Sequence, residues 1–448
     1  AGKFDRSVTE PRPLTWARSG RFVPRTFVRP LIKFVNLEAS SGIVLVAATA
    51  VALIWANVHL ESYEELFATP FRIELGPFHL EETLRGLVND GLMAIFFFVV
   101  GLEIKRELVV GDLHDTRAAL LPALAALGGM AVPALIYLAI AGAEPGAERG
   151  WGIPMATDIA FAIGVLALLG RRIPAGVKLF LLTLAIVDDI GAIAVIAIFY
   201  TSDLSWPWLG VAVAALILVW VATRAGIRSL GLYLPLAFVA WLATLESGVH
   251  ATLAGVALGL LTPAYPYYRL ADFRMQAQRL LASLSKEDDD VIERESADHS
   301  LMTISIFARE SVAPLARLEP GFNLWSANVA VPIFALANAG ISIGSGTIAS
   351  PVALGVALGL LLGKTIGVSL FTAVGLRTGI GRLPPGMAGH HILGVSILSG
   401  IGFTVSIFVA GLAFNEAQLL VDAKIGIFAA SVVAAVAGYT VLRIGSKK

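Results

Sequence analysis

The sequence predicts an all-α polytopic membrane protein of about twelve transmembrane helices, on three observations. First, the 448 residues are 57% hydrophobic with mean hydropathy +0.79, and only 15% are charged, against roughly 25% in ordinary soluble domains. A soluble fold cannot hide that much apolar surface. Second, cutting the chain at its charged clusters leaves about a dozen apolar stretches, most of them long enough to cross a ~30 Å hydrocarbon layer as helices of about 20 residues. Third, the connections between these stretches alternate in charge. A transmembrane β-barrel is excluded because it requires segments of about ten residues that alternate in polarity, whereas runs such as Ile43 to Trp55 and Ser431 to Val441 do not alternate.

Taken in order, helices are expected at about 37–57, 86–106, 118–141, 152–169, 177–201, 206–223, 230–245, 248–262, 321–341, 352–375, 387–413 and 422–442. Arg18, Arg21, Arg25, Arg29 and Lys33 precede the first, and the next connection carries Glu61, Glu64, Glu65, Glu74, Glu81 and Glu82. Basic residues favour the cytoplasmic side, which puts the N-terminus inside. Lys105, Arg106 and Arg117, then Arg171, Arg172 and Lys178, then Arg224 and Arg228, then Arg377 and Arg382 fall on that same side, and Arg443, Lys447 and Lys448 place the C-terminus there too. The expected organisation is a basic cytoplasmic extension (1–35) and a membrane domain (36–448).

Two connections stand out. The segment 71–80 alternates in side-chain character on both sides of Gly76-Pro77, which reads as an extracytoplasmic β-hairpin or as an irregular loop. Residues 263–320 form a long, mixed-charge and partly helical cytoplasmic segment that contains the acidic run Glu287-Asp-Asp-Asp290 and reads as solvated spacer.

Composition also excludes function classes. Zero net charge gives no nucleic-acid footprint, and the absence of cysteine removes disulfides, thiolate metal sites and thiol catalysis. Residues 1–30 are basic and proline-spiked, without the apolar core of a cleavable signal. Gly363-Lys364-Thr365 imitates a P-loop, yet position 358, where that motif needs its first glycine, is Leu. No nucleotide site is therefore expected, and no enzyme motif of the His-Glu-x-x-His or Gly-x-Ser-x-Gly type occurs.

Four ionisable residues stand in otherwise uncharged spans: Asp158, Asp188, Asp189 and Lys364. Each costs about 2.5–3.5 kcal/mol at a helix centre, roughly 10–14 kcal/mol together. Asp158 with Lys364 reads as a buried ion pair that fixes packing or as a functional pair. Asp188 and Asp189 are adjacent acids that repel and find no fixing partner in their own helix. Neighbours on a helix point about 100° apart, so the two serve different sides of one site. Poor solvation and a like charge both favour the protonated form of a carboxyl group. A hard cation such as Na⁺ or Li⁺ takes oxygen ligands, available here from the carboxylates, Thr157 and unwound carbonyls. Proton and cation then compete for the same oxygens, and a carrier that reorients only when neutralised exchanges one for the other without a cofactor.

Helix-weakening content sits mid-depth in the fourth and eleventh helices, at Ile153-Pro-Met-Ala-Thr-Asp158 and Ser399-Gly-Ile-Gly-Phe-Thr404. Each is second in a triplet, in the core regions 118–201 and 352–442. That points to inverted repeats whose broken helices cross near the midplane, with Asp158 offsetting N-terminal and Lys364 C-terminal dipoles. Ordinary glycine-rich packing helices are the competing reading.

From about residue 36 to 443 the chain resembles the bacterial NhaA-type Na⁺/H⁺ antiporters, a family known for inverted repeats. The residues that carry the resemblance are Asn89-Asp-Gly-Leu-Met-Ala, Gly101-Leu-Glu-Ile-Lys-Arg-Glu-Leu, Ala156-Thr-Asp-Ile-Ala-Phe-Ala, Leu184-Ala-Ile-Val-Asp-Asp-Ile-Gly, Ser247-Gly-Val-His-Ala-Thr-Leu-Ala-Gly, Phe334-Ala-Leu-Ala-Asn-Ala-Gly and Ser399-Gly-Ile-Gly-Phe-Thr-Val-Ser-Ile-Phe. The resemblance implies electrogenic exchange, driven by the proton motive force, that serves sodium and pH homeostasis from the inner membrane. It implies that Asp188 and Asp189 bind ion and proton, Asp189 as the direct sodium ligand, with Asp158 and Thr157 at the crossing and Lys364 as cationic partner, which either releases a transported proton or holds a salt bridge with Asp188. Asp90, Glu103 and Glu107 match acids of a cytoplasmic funnel, as cation gatherers or as solvated surface. His250 matches a histidine linked with pH response, or is simply packed among small residues, and the 71–80 hairpin matches a homodimer contact. Two departures matter: Thr365 replaces the proline that commonly follows the lysine, and Ala308-Arg-Glu-Ser-Val-Ala-Pro-Leu keeps only Glu310 of an acid-histidine pH segment. An intramembrane aspartyl protease would need Tyr-Asp and Gly-x-Gly-Asp motifs, which do not occur. A sodium-coupled symporter of related fold and a passive channel remain alternatives.

Overall fold

The computed structural model describes residues 40–75, 78–111, 113, 116–201, 204–283, 291–342 and 346–445. The expected extension at 1–35, the hairpin tip at 76–77, the acidic run at 287–290 and the terminal lysines lie outside these residues. The described chain is mostly helical, and its long helices are apolar around their whole circumference, which in water would be untenable and in lipid is the stable solution.

Among the described residues, eight helices are long and apolar enough to cross a membrane, and a bent pair counted as one span makes a ninth. The chain begins with α1 (Ser40–Val58), a short amphipathic α2 (Leu60–Ala68) and the strands β1 (Pro70–Leu75) and β2 (Phe78–Thr83). The strands pair antiparallel, from Pro70 opposite Thr83 to Leu75 opposite Phe78. Thr83 then caps α3 (Leu84–Val109), its hydroxyl accepting from the Gly86 N–H at 3.0 Å. There follow α4 (Thr116–Ala141), a 3₁₀ segment Glu148–Met155 leading through extended backbone into α5 (Ile159–Ala167), and α6 (Ala175–Phe199). Next come α7 (Trp206–Arg224), α8 (Leu230–Glu246) and α9 (Thr252–Leu261). The segment expected as spacer holds α10 (Leu270–Ser283) and α11 (Val291–Glu310). Beyond it, α12 (Pro314–Trp325) passes through a π turn (Ser326–Ala330) into α13 (Val331–Asn338). The chain closes with α14 (Pro351–Arg377), the pair α15 (Gly389–Leu398) and α16 (Phe403–Ala413) bent by 45°, and α17 (Ala417–Gly445).

Glycines set the closest approaches, as expected where lipid tails compete on equal terms with side chains and backbones must touch. A Cβ added at Gly255 of α9 would collide with the Ala94 carbonyl oxygen of α3, and one at Gly259 would sit 2.6 Å from that of Phe98. Likewise α4 and α14 meet at Gly128 and Gly367, where a Cβ on either would press into the other's carbonyl. This second contact seats Lys364, on α14, beside α6. Replacing Gly255 by Ala is expected to destabilise the protein by about 1–3 kcal/mol, the usual cost of overpacking, read as a lowered thermal midpoint of the detergent-solubilised protein.

Candidate functional site

The fourth expected helix is interrupted: the 3₁₀ segment ends at Met155, Ala156–Asp158 run extended, and α5 begins at Ile159. The eleventh is interrupted between Leu398 and Phe403. Breaking a helix in lipid exposes backbone groups that water cannot satisfy, and here each break satisfies the other. The Asp158 N–H donates to the Ile401 carbonyl at 2.7 Å. Ser406 Oγ donates to the Ile153 carbonyl at 2.8 Å. Asp158 Oδ1 accepts the Phe161 N–H at 3.0 Å, which caps α5, while its Oδ2 accepts the Thr404 N–H at 3.1 Å and the Thr404 hydroxyl at 2.5 Å, at the start of α16. One buried carboxylate therefore faces two helix N-termini, where partial positive charge favours an anion.

Thr157 joins this crossing to α6. Its Oγ1 lies 2.9 Å from Asp188 Oδ2 and 2.9 Å from the Ser399 carbonyl oxygen. A hydroxyl has one proton to give, so it serves either acceptor, or it donates to Ser399 while accepting from a protonated Asp188. Lys364 Nζ donates to the same Oδ2 at 2.5 Å, and both side chains of this ion pair are fully buried. Of the two carboxylates weighed as partners of Lys364, the structure pairs it with Asp188 and not with Asp158, which is held by backbone N–H groups and Thr404. Sequence spacing within one span cannot reveal that partner, because it stands on another helix 176 residues away.

Asp189 is buried as well, and the charges that act on it are those of Asp188, Glu103, Asp158 and Lys364. Asp188 Oδ1 and Asp189 Oδ1 are buried without a hydrogen-bond partner among the described residues. A buried ionised carboxylate oxygen with no donor is expensive, and a proton or a cation relieves that cost.

On the side of Asp189, Glu103 is half-buried on α3, and one turn further along lies a charge cluster. Arg106 donates to Glu107 Oε1 at 3.0 Å and also to Glu319 Oε1. Both glutamates are buried. Glu319, in the first half of α12, is a member that sequence reasoning misses: it precedes Pro320 in a segment that reads as loop. Its one signal is the long uncharged run that follows it.

The remaining expected residues do not share this place. Asp90 sits in the π turn Val88–Leu92 at the hairpin end of α3, its carbonyl accepting the Trp241 indole N–H at 2.8 Å. Glu82, at the base of the hairpin, is the charge acting on it. Thirteen residues of helix, about 20 Å, separate it from Glu103, so the structure does not bring Asp90 together with Glu103 and Glu107. His250 follows Gly248, which takes φ +80°, and its Nε2 meets the Tyr200 carbonyl at 2.7 Å, at the far end of α6 from Lys178. Glu310 ends α11, and its carbonyl accepts the Tyr267 N–H at 3.1 Å. Its side chain acts on Arg317 and is not among the charges that act on Asp189.

Residues 32–442 match the protein family described as Na⁺/H⁺ antiporter 1. The chain is 44% identical to the Na(+)/H(+) antiporter NhaA 2 of Sorangium cellulosum, covering 96% of this chain and 93% of that protein. It is 44% identical to the Na(+)/H(+) antiporter NhaA of Oleidesulfovibrio alaskensis (93% and 94%) and 43% identical to that of Sulfurimonas denitrificans (93% and 96%). This multi-pass membrane protein belongs to the Na⁺/H⁺ antiporter 1 family.

Proposed function

We propose that this chain exchanges cytoplasmic Na⁺ or Li⁺ for external protons across the bacterial inner membrane, driven by the proton motive force, in the service of sodium and pH homeostasis. The observation that supports it most is the pair of adjacent buried acids, each with an oxygen left without a donor among the described residues, beside a crossing of two broken helices. Asp189 is the direct cation ligand, and Asp188 and Thr157 complete the oxygen set. In the resting pair, Lys364 neutralises Asp188; Asp189 is the charge left to be neutralised, by a proton or by sodium. Because both loads use the same oxygens, the passage of one cation requires the return of protons, and exchange of more protons than sodium makes the cycle electrogenic. No resident cofactor takes part in this scheme.

The proposal includes twelve spans in inverted repeats with both termini cytoplasmic. In that topology Glu103, Arg106, Glu107 and Glu319 stand at the inner mouth, Asp90 and His250 stand toward the outer face, and the hairpin joins two copies. The experiment is sodium addition to everted vesicles whose interior has been made acidic. Sodium should dissipate the pH gradient, at alkaline pH above all. Uptake of an organic solute with sodium, and no proton flux, would favour a symporter instead and defeat the proposal.

A further inference from the structure

Between α9 and α12 the chain leaves the bundle as a two-helix arm, α10 and α11, whose helices pack chiefly on one another. The arm is tied shut at its base. The Tyr267 N–H donates to the Glu310 carbonyl at 3.1 Å, the Leu315 N–H donates to the Pro263 carbonyl at 3.1 Å, and the Tyr268 and Phe307 rings meet at 4.9 Å. The Arg228 guanidinium lies 5.0 Å over the Tyr267 ring. Arg228 follows α7 by one short turn, so the base of the arm stands level with the end of a spanning helix. Tyr265 and Tyr267 are exposed there, and such amphipathic rings gather where a bilayer meets water.

The two faces of α10 differ. Phe273, Gln276, Ala277 and Leu280 are its less exposed residues, and they form the stripe that a period of 3.6 turns toward a partner helix. The opposite face leaves Leu270, Arg274, Met275, Arg279 and Leu281 exposed. At 77% exposure, Leu270 is the most exposed large apolar side chain among the described residues, ahead of every side chain that the spanning helices turn outward. In this helix and the residue before it, Arg269, Arg274 and Arg279 stand against one acid, Asp272. Side chains that avoid water therefore alternate with cations.

That alternation selects the cover. A second copy of the chain is disfavoured, because a two-fold contact through this face sets arginine against arginine. An anionic lipid surface suits both kinds of side chain. Leucine and methionine enter among the acyl chains, while the arginine stems run along them and the guanidinium groups reach phosphate. The surface is also at hand, since the base of the arm already stands at the end of α7.

We infer that α10 lies flat in the membrane surface beside the bundle and binds anionic phospholipid headgroups, holding the arm down on the bilayer. Leu270 and Leu281 are separated by about 16 Å of helix and fall within about 20° of one line along its surface. A helix that lies flat immerses both; one that projects into water immerses at most the residue near the base. In this arrangement α11, which carries Glu293, Glu295 and Asp298 in its first half, is the water side of the arm. The leaflet is the cytoplasmic one under the topology proposed above, whereas the lipid contact itself is independent of the exchange reading.

The chain has no cysteine, so Leu270→Cys and Leu281→Cys each accept a single nitroxide label in the full-length protein. The labelled protein is placed in vesicles of phosphatidylcholine with or without phosphatidylglycerol. Relaxation by oxygen, which concentrates in lipid, is then compared with relaxation by a water-soluble nickel chelate. With phosphatidylglycerol both labels should be open to oxygen and shielded from nickel, and without it the label at 281 should turn toward nickel. Arg274→Gln combined with Arg279→Gln leaves the face packed on α11 untouched and should lower the ratio of immersed to free arm roughly thirtyfold, the weight of two arginines at an anionic surface. A label at 281 open to nickel in both lipids would show an arm standing in water, and one closed to both reagents would show a protein partner; either overturns the inference. Equal immersion with and without phosphatidylglycerol would overturn the headgroup contact. Immersed labels in a protein that shows no sodium-dependent proton flux would uphold the lipid contact and overturn the exchange reading alone.

Discussion

Asp189→Asn is expected to abolish sodium-triggered proton flux while leaving the protein folded. Asparagine keeps the shape and an oxygen but removes the charge. A charge 4 Å from a cation at an effective dielectric constant of about 20 is worth about 4 kcal/mol, and losing it weakens sodium binding by about three orders of magnitude. Asp189 Oδ1 has no donor to lose among the described residues, so the substitution breaks no hydrogen bond at that oxygen and relieves a buried charge. The thermal midpoint should therefore hold or rise. A variant that transports at the parent's rate would remove Asp189 from the cation site, and one that unfolds would show that the side chain's role is structural.

Lys364→Met should act in the opposite way, on stability first. The side chains of Lys364 and Asp188 are both 0% exposed, and removing one member of such a pair strands the other charge in low dielectric, at about 3–5 kcal/mol. Asp188→Asn strands the lysine likewise. The double variant should be less destabilised than the sum of the two by about 1–3 kcal/mol, the coupling expected of a direct contact, measured as thermal or denaturant midpoints in detergent. Additive losses would mean that the two groups do not sense one another.

Much of this fold is legible in the chain because a single requirement dominates it. A membrane span must be apolar over its length, so runs such as Ala175–Phe199 or Ala417–Gly445 announce themselves wherever neighbours are placed. The buried carboxylates are legible for the complementary reason: Asp158, Asp188 and Asp189 are conspicuous in uncharged surroundings. Partnership is not legible in spacing: Asp188 comes into view as a partner of Lys364 only through the family resemblance. Which acid Lys364 meets depends on how α4 and α14 close over Gly128 and Gly367, a tertiary fact with no local signature. Glu319 escapes notice because it looks like one more loop charge; only the fold brings Arg106 to it. Asp90 is grouped with Glu103 only by the resemblance, and helical rise separates the two by about 20 Å. The interruption at Ala156–Asp158 is foreshadowed by Pro154 and the run after it, whereas the π turns at Val88–Leu92 and Gly359–Gly363 leave no trace in composition.

The exchange of hydrogen bonds between the two interrupted helices bears on motion. The Asp158 amide is spent on Ile401, the Thr404 amide on Asp158, and the Ser406 hydroxyl on Ile153. Were the segments to slide apart, each would be left with bare peptide groups in oil. Any reshaping that turns the central acids from one face of the bilayer toward the other must therefore carry both segments together, as a single stiff cross pivoting within the surrounding bundle.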